Sequence, residues 1–276
     1  MITSILRGFL FALALGATAD AADLPLFDAH LHYSGNAWQD FPPTKVIGLL
    51  DEAGVRRALL SSTPIEGTLR LYQHAPERFV PELRVYRKTT SLASWPAERA
   101  MWFKDPELMP FLKAELKRGI YRGIGEFHVD GHEVDTPVMR ELVDLAVAHD
   151  LPLHAHSDAD AIAKLFSFNP QVRILWAHAG MSTPPGVVGE FMARYPKLWA
   201  DLSYRELYSG TKIDPEWKTI LLRFPERFLY GSDTWMPFRW PQVPALAREA
   251  RDWLAQLPHA VAEKIAWRNA IDLFGE

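Results

Sequence analysis

The sequence predicts a single α/β domain folded as a (β/α)8 barrel, the TIM-barrel architecture. Short apolar runs of strand length alternate along the chain with longer segments of helical periodicity. Eight such runs occur, each followed by a helical segment, which is the pattern of this barrel. No Gly-x-Gly-x-x-Gly motif follows the first run, which argues against a dinucleotide-binding doubly wound sheet.

The predicted elements fill residues 23–276 without a linker, repeat or low-complexity tract, so we expect one domain. The predicted strands are residues 26–32, 57–62, 79–86, 122–129, 151–157, 173–180, 198–204 and 228–235. Several connecting helices start after Asp, Thr or Pro and stop at Gly or Pro. A helical tail over about 243–274 closes the chain. Residues 87–105 are the longest irregular stretch. We expect them to form the loop after strand 3, with a helical piece inside, and this loop could cover part of the site.

Residues 1–22 are predicted to be a secretory signal peptide. Arg7 precedes an apolar run, and small residues at 17–21 fit the Ala-x-Ala cleavage pattern. The run is shorter than the ~20 apolar residues of a membrane-spanning helix, although an uncleaved anchor is the alternative. No cysteine follows it to carry a lipid. We therefore expect an exported protein, in the periplasm, that leaves the membrane after cleavage.

Composition narrows the class of protein further. The absence of cysteine excludes disulfides, thiolate ligands and a cysteine nucleophile. A net charge of −4 provides no electrostatic footprint for nucleic acid. With 48% hydrophobic residues the chain can build a large core. The expected partner is a small-molecule substrate, and composition leaves a homo-oligomer open.

The first predicted strand, "LFDAHLH", ends in polar residues at alternate positions. Asp28, His30 and His32 should lie on one face, because strand side chains two apart point the same way. Two imidazoles on one face at this spacing can bind one metal ion. A single pair of this kind could also consist of structural histidines. The other predicted strands are needed to choose between a metal site and structural histidines.

The other predicted strands repeat this pattern at their C-terminal ends. The residues concerned are Glu126 and His128 on strand 4, His154 and His156 on strand 5, His178 on strand 6 and Asp233 on strand 8. In a barrel these strand ends meet at one mouth. Burying so many unpaired polar groups would cost roughly several kcal/mol each. One or two divalent cations, with Zn²⁺ the best match to these ligand types, would supply the missing partner.

Several motifs together resemble the amidohydrolase superfamily. They are His30-x-His32, the "GIGE" strand, "LPLHAHSDADA", "WAHAG" and "YGSD". The closest similarity is to the amidohydrolase-related branch that includes aminocarboxymuconate-semialdehyde decarboxylase-like enzymes, whose C-terminal helix the closing "KIAWRNAIDLFG" also resembles. The resemblance covers essentially the whole mature chain. It implies a metal-dependent barrel enzyme, usually a zinc hydrolase and sometimes a non-oxidative decarboxylase.

The resemblance also implies roles for individual residues. His30 and His32 match the metal ligands of strand 1, and His178 matches a second-metal ligand or catalytic histidine. Asp233 matches the aspartate that binds metal and handles the proton of the bound water. Glu126 stands where many members have a bridging glutamate or carbamylated lysine. Because this chain has no lysine there, a dinuclear site would need Glu126 itself.

Strand 5 offers two histidines that share one face, so alternation cannot choose between them. His156 lies nearer the mouth, and "HSDADA" resembles the strand-5 ligand turn of the superfamily. We therefore expect His156 to be the ligand and His154 to be a deeper supporting or core group. Asp28 is expected to orient a ligand. For His128, substrate contact and loop packing remain open.

Two arginines in loops complete the candidate residues. Arg87 follows strand 3 and Arg239 follows strand 8, and either could pair with a substrate carboxylate. A solvated loop arginine is the alternative for each of them.

The predicted function is an exported metal-dependent hydrolase acting on an amide, ester or lactone. Asp233 would accept the proton of the attacking water and return it to the leaving group. The main alternative is a metal-dependent non-oxidative decarboxylase, a carbon–carbon lyase, and Glu126 favours the hydrolase. A non-catalytic periplasmic metal- or ligand-binding barrel is the second alternative, which the proton-handling Asp233 argues against.

Export gives a first testable prediction. We expect the mature protein to begin near Asp20 or Ala22, because a signal peptidase cuts after the Ala-x-Ala pattern. N-terminal sequencing of material from the exported fraction measures this directly. An intact Met1 in that fraction would contradict it.

Overall fold

The computed structural model describes residues 24–89, 93–209 and 211–275 and confirms the predicted barrel. Eight parallel strands form one sheet in sequential order. They are β1 (Leu26–His32), β2 (Val55–Ser61), β3 (Phe79–Leu83), β4 (Gly123–His128), β5 (Leu153–His156), β6 (Ile174–Trp176), β7 (Leu198–Asp201) and β8 (Phe228–Leu229). A backbone hydrogen bond of 2.9 Å from Ala29 N–H to the Tyr230 carbonyl brings β8 back to β1. The barrel is therefore nearly closed.

Helices alternate with the strands and surround the sheet. They are α1 (Pro43–Glu52), α2 (Glu66–His74), α3 (Trp95–Arg99), α4 (Leu108–Leu116), α5 (Pro137–Ala148), α6 (Ala159–Phe168), α7 (Pro185–Arg194), α8 (Pro215–Arg223), α9 (Val243–Leu254), α10 (His259–Glu263) and α11 (Asn269–Phe274). A π-helical turn, Lys264–Arg268, joins the last two. None of the helices in the described residues is long and apolar enough to cross a membrane.

Local capping explains where several of these helices begin. The side chains of Thr136, Asp158 and Asp214 each accept a backbone N–H from the first turn of α5, α6 and α8. Such a cap stabilises a helix by about 1 kcal/mol. Asp158 also accepts the Gly131 N–H at 3.1 Å, which ties the start of α6 to the loop after β4. Capping thus holds two of the loops at the barrel mouth in place.

Four strands end at least three residues earlier than the sequence pattern predicts. β3, β6, β7 and β8 stop at Leu83, Trp176, Asp201 and Leu229. Beyond β6 and β8, His178 and Asp233 have left-handed backbone angles, with φ of 54° and 45°. A strand cannot continue through that conformation. The apolar run predicts the strand, but the polar residues at its end leave the sheet to form the site.

Other differences lie outside the barrel wall. A small antiparallel hairpin, Tyr208–Ser209 with Lys212–Ile213, was not predicted. The predicted helical tail is divided before Pro258, because proline cannot donate the hydrogen bond that would continue a helix. The loop after β3 contains α3, in agreement with the expected helical piece in 87–105. Residues 1–22, the predicted signal peptide, lie outside the described residues.

The C-terminal helix covers the barrel at the end where the strands begin. The Phe274 ring stacks on Phe27 with centroids 6.1 Å apart. The Asn269 amide donates to the carbonyls of Pro225 and Phe228 at 2.8 Å each. This end of the barrel is therefore filled with packed side chains, and the polar residues gather at the other end.

Candidate metal centre

The two histidines of β1 direct the same ring atom at one point. The Nε2 atoms of His30 and His32 lie 3.1 Å apart, and both side chains are buried. Two nitrogen lone pairs that face each other repel unless a proton or a cation lies between them. A hydrogen bond from one ring N–H to the other nitrogen, or a cation held between two lone pairs, would satisfy this geometry.

Two carboxylates surround the same point. Oδ1 of Asp233 lies 3.5 Å from His30 Nε2 and 3.3 Å from His32 Nε2. Glu126 places Oε1 3.5 Å from the first nitrogen and Oε2 3.3 Å from the second. Donor atoms bonded to one Zn²⁺ at about 2.0–2.2 Å lie roughly 2.8–3.6 Å apart in octahedral to tetrahedral arrangements. These four side chains have the spacing of ligands around a single cation.

Glu126 also reaches histidines from two further strands. Its Oε1 lies 3.0 Å from Nδ1 of His156 and 3.6 Å from Nε2 of His178. His178 Nε2 is in turn 3.8 Å from Oδ2 of Asp233. Glu126 therefore stands between one group of donors from β1 and the β8 loop and a second group from the ends of β5 and β6.

The charges of the site fit a cation. Burial alone would raise the pKa of Glu126, but His128 and His30 hold it well below its usual value. Burial would likewise raise the pKa of Asp233, which His30 and His32 lower instead. Burial lowers the pKa of His30, but Asp233 and other nearby carboxylates raise it well above its usual value. Ionised carboxylates among buried imidazoles are the donor set that borderline divalent cations such as Zn²⁺ prefer.

The loop after β8 is held tightly against β1. The Asp233 N–H donates to the His30 carbonyl at 2.7 Å. A Cβ at Gly231 would lie 2.9 Å from the His30 Cβ, so only glycine allows this approach. Asp28 accepts the N–H groups of His30 and Ser232 at 3.1 and 2.9 Å, and burial raises the pKa of Asp28 to about 6 despite these bonds. Asp28 thus positions backbone on both sides of the site.

Two residues at the end of β7 were missed by the sequence reasoning. Asp201 Oδ2 lies 3.2 Å from His30 Nδ1 and accepts the backbone N–H of His178 at 3.1 Å. The Ser203 hydroxyl lies 2.8 Å from His178 Nδ1 and donates to Asp201. A carboxylate at Nδ1 favours the tautomer whose Nε2 lone pair is free to bind metal. The sequence signal that could have identified Asp201 is a polar residue at the end of an apolar strand, the same signal that marked the other strands.

A cavity of about 380 Å³ opens directly above this cluster. Its walls combine residues of the cluster with aromatic and polar side chains from the loops. They include His32, Arg84, Trp95, Glu126, His128, His156, Met181, Tyr204, Asp233 and Trp235. The Trp235 indole N–H lies 3.3 Å from the Tyr204 hydroxyl, which joins two walls of the rim. The cavity has the size of a small-molecule site.

Comparison with known proteins identifies the family. A family model described as amidohydrolase matches residues 27–275. The chain belongs to the amidohydrolase family. This confirms the resemblance read from the motifs, and members of the family include both hydrolases and decarboxylases. No curated protein matches the chain.

Several solved structures resemble the chain along nearly its full length. An uncharacterized TIM-barrel protein from Bordetella bronchiseptica aligns with TM-score 0.63 and 15% identity, covering 91% of this chain and 98% of that one. A 2,6-dihydroxybenzoate decarboxylase in complex with 2,6-dihydroxybenzoate gives 0.60 and 15%, covering 92% and 100%. An amidohydrolase from Burkholderia multivorans with bound zinc gives 0.59 and 13%, covering 91% and 99%. At these identities the likeness concerns the fold.

The two histidines of β5 lie in different surroundings. His154 is fully buried, with Nδ1 3.2 Å from Glu82 Oε2 and Nε2 3.4 Å from Asp201 Oδ2. The His156 side chain is 28% exposed and faces the cavity beside Glu126. The His128 ring stacks on His156 at 4.3 Å, so it both lines the cavity and packs against a neighbour.

The arginine that lines the cavity is not one of the two that the sequence suggested. Arg87 pairs with Asp105 at 2.9 Å, and Arg239 donates to the Ser232 carbonyl while its guanidinium lies over Tyr204. Neither is among the residues that line the cavity. Arg84 does line it. Side chains alternate between the two faces of a strand, so extending this alternation beyond β3 could have predicted that Arg84 points inward. Arg87 and Arg239 lie in loops, where this alternation does not apply.

The two histidines of β5 give a testable prediction. His156→Ala should lose bound metal, because it removes a nitrogen that lies against Glu126 at the cavity. His154→Ala should still load metal at saturating concentration, because its ring nitrogens face the carboxylates of Glu82 and Asp201 beneath the site. Elemental analysis after dialysis against Zn²⁺ compares the two variants. Metal retained by His156→Ala and lost by His154→Ala would reverse the assignment.

Proposed function

We propose that the protein is a metal-dependent hydrolase of a small amide, ester or lactone. The observation that supports this most is the position of Glu126, within 3.6 Å of histidine nitrogens from β1, β5 and β6. A carboxylate in that position suits two cations rather than one. A divalent cation held there would polarise a substrate carbonyl and lower the pKa of a water molecule to about 7.

The residues that would hold two cations form two sets that share Glu126. His30, His32 and Asp233 complete the first set, and His156 and His178 complete the second. Zn²⁺ is the proposed ion, since imidazole and carboxylate ligands without thiolates suit it. The Nδ1 partners Asp201 and Ser61 orient the β1 rings, with the Ser61 hydroxyl 2.9 Å from His32 Nδ1.

Asp233 is the proposed general base. Its side chain is buried but lines the cavity, and its low pKa keeps it ionised at neutral pH. It can accept a proton from the attacking water and donate the same proton to the leaving nitrogen or oxygen. The left-handed backbone at Asp233 directs its carboxylate toward the histidine nitrogens instead of along the strand.

Arg84 is the proposed contact for a negatively charged group on the substrate. Its Nη1 atom lies 3.0 Å from His32 Nδ1 and donates to Ser61 Oγ at 3.2 Å. Among the described residues, no acceptor takes a hydrogen bond from its Nη2, and the side chain borders the cavity. A carboxylate in the cavity could receive that free edge of the guanidinium.

Non-oxidative decarboxylation is the second candidate function. Arg84 favours it, because a decarboxylase must hold the carboxylate that it removes. Glu126 favours hydrolysis, since cleavage of a carbon–carbon bond has less need of two cations. A non-catalytic binding role is the third hypothesis, and the ionised Asp233 at the cavity argues against it.

We also propose that the protein acts after export, in the periplasm, on the basis of its signal-like leader.

Metal content and the Asp233→Asn variant test the proposed hydrolase. We expect two Zn²⁺ per chain in protein purified without chelators, with turnover in a panel of lactones, esters and amides. Asp233→Asn should lower kcat by about 10²–10⁴-fold, because the amide can keep the shape but cannot accept a proton. Metal content should remain close to that of the wild type.

One outcome would overturn this function, and another would overturn the role of Asp233 in it. One cation per chain with carbon dioxide release from carboxylic acids would establish the decarboxylase. Near-normal turnover by metal-loaded Asp233→Asn would place proton transfer elsewhere, with His178 the first candidate. His74→Gln, a change on the surface helix α2, is the matched control and should leave metal content and turnover unchanged.

Arg84 gives a prediction about substrate recognition. Arg84→Met should weaken binding of benzoate to the cavity by roughly 10–100-fold, since a hydrogen bond to a charged group contributes about 1.5–3 kcal/mol. Benzamide, which has the same ring without the charge, should bind both proteins alike. Calorimetric titration measures both ligands. Equal weakening of benzoate and benzamide would assign Arg84 a purely structural role.

A further inference from the structure

We infer that Glu82 and His154 form a positioning relay that holds Asp201, and through it His30, in the geometry required for metal binding. Glu82 lies on β3, His154 on β5 and Asp201 on β7, so the relay crosses the barrel interior beneath the proposed metal site. The inference rests on the proposed metal-dependent function. It adds roles for residues that are not among those lining the cavity.

The contacts form a continuous line. Glu82 Oε2 lies 3.2 Å from His154 Nδ1, and His154 Nε2 lies 3.4 Å from Asp201 Oδ2. The same Asp201 oxygen lies 3.2 Å from Nδ1 of His30, whose Nε2 faces the metal position. All four side chains are at most 2% exposed. The His30 and His154 rings also touch edge to face, with centroids 4.4 Å apart.

The chemistry of the line fixes the direction of each bond. His154 has a carboxylate at both ring nitrogens, so each N–H can donate to one of them. The N–H that His154 directs at Asp201 restrains this carboxylate, so that it does not rotate away from His30. Without Glu82, the His154 ring loses the partner that sets its angle, and Asp201 loses its support from below.

Stability alone does not explain these residues. Burying an ion pair costs free energy through desolvation, and apolar residues of similar volume are often as stable or more stable. Glu82 Oε1 is buried without a hydrogen-bond partner among the described residues, which adds to that cost. A buried and incompletely satisfied pair next to ligands fits a role in orientation better than a role in folding.

Metal affinity distinguishes this relay from a structural ion pair. Zn²⁺ and Co²⁺ are titrated into metal-free protein against a competing chelator at one fixed pH. Outer partners of metal ligands contribute about 10–100-fold to metal affinity. We expect Glu82→Leu to weaken both metals by about 10-fold, and to shift the visible absorption of bound Co²⁺. Glu82→Gln should stay within about threefold of the wild type, because its side-chain oxygen still accepts the His154 N–H.

A double variant separates positioning from folding. Glu82→Leu/His154→Leu removes both buried polar groups together, so it should fold with a melting temperature near that of the wild type. It should still lose at least about 10-fold in metal affinity, because Asp201 loses its contact with the His154 ring and can rotate away from His30. Asn269→Ala is the matched control: it removes buried hydrogen bonds far from the site and should lower the melting temperature without changing metal affinity.

Each other outcome overturns the inference. Unchanged affinity in Glu82→Leu or in the double variant would make the pair structural only. Equal losses in Glu82→Gln and Glu82→Leu would show that the charge acts through space and that position is irrelevant. Failure of the wild type itself to bind either metal would overturn the proposed function and this inference with it, which distinguishes the two.

Discussion

The contact between the Asp201 carboxylate and His30 Nδ1 is the interaction on which the candidate site depends. It leaves Nε2 of His30 facing His32, Asp233 and Glu126, and it ties β7 to β1 across the barrel. Two ring nitrogens and two carboxylates then share one point, an arrangement that suits a divalent cation. The barrel closes so that these strand ends meet, and the aromatic rim encloses the cavity above them.

The mouth of the barrel carries most of the unfavourable backbone geometry. Among the described residues with positive φ that are not glycine, five of six lie after β6, β7 or β8: His178, Ala179, Met181, Tyr204 and Asp233. Each costs of order 1–3 kcal/mol. The packed helices and the sealed opposite end of the barrel hold these residues in place. This division matches the TIM-barrel rule that one end provides stability and the other provides chemistry.

The sequence revealed the parts of the site that follow strand periodicity. The histidine pair of β1 and Glu126 lie on strands, where alternation fixes the face of each side chain. Strand periodicity does not apply where the chain leaves the sheet, so it could not predict where the side chains of Arg87 and Arg239 point. These arginines contact Asp105 and the Ser232 carbonyl instead of the cavity. Asp201 was overlooked because, unlike Asp233, it lies in none of the motifs that carry the family resemblance. Its role depends on residues from β1 and β5 that only the closed barrel brings together.

The choice between hydrolysis and decarboxylation depends on how the positive charge is distributed. Arg84 lies 3.5 Å from Glu126 and 3.0 Å from His32, so a guanidinium already borders one side of the proposed site. Repulsion between Arg84 and two cations must be offset by Glu126, Asp201 and Asp233. With a single cation, Arg84 could instead pair with Glu126 and draw it away from the histidines. The strength of this competition decides whether Glu126 bridges two ions, and that links substrate recognition at Arg84 to the reaction the site can perform.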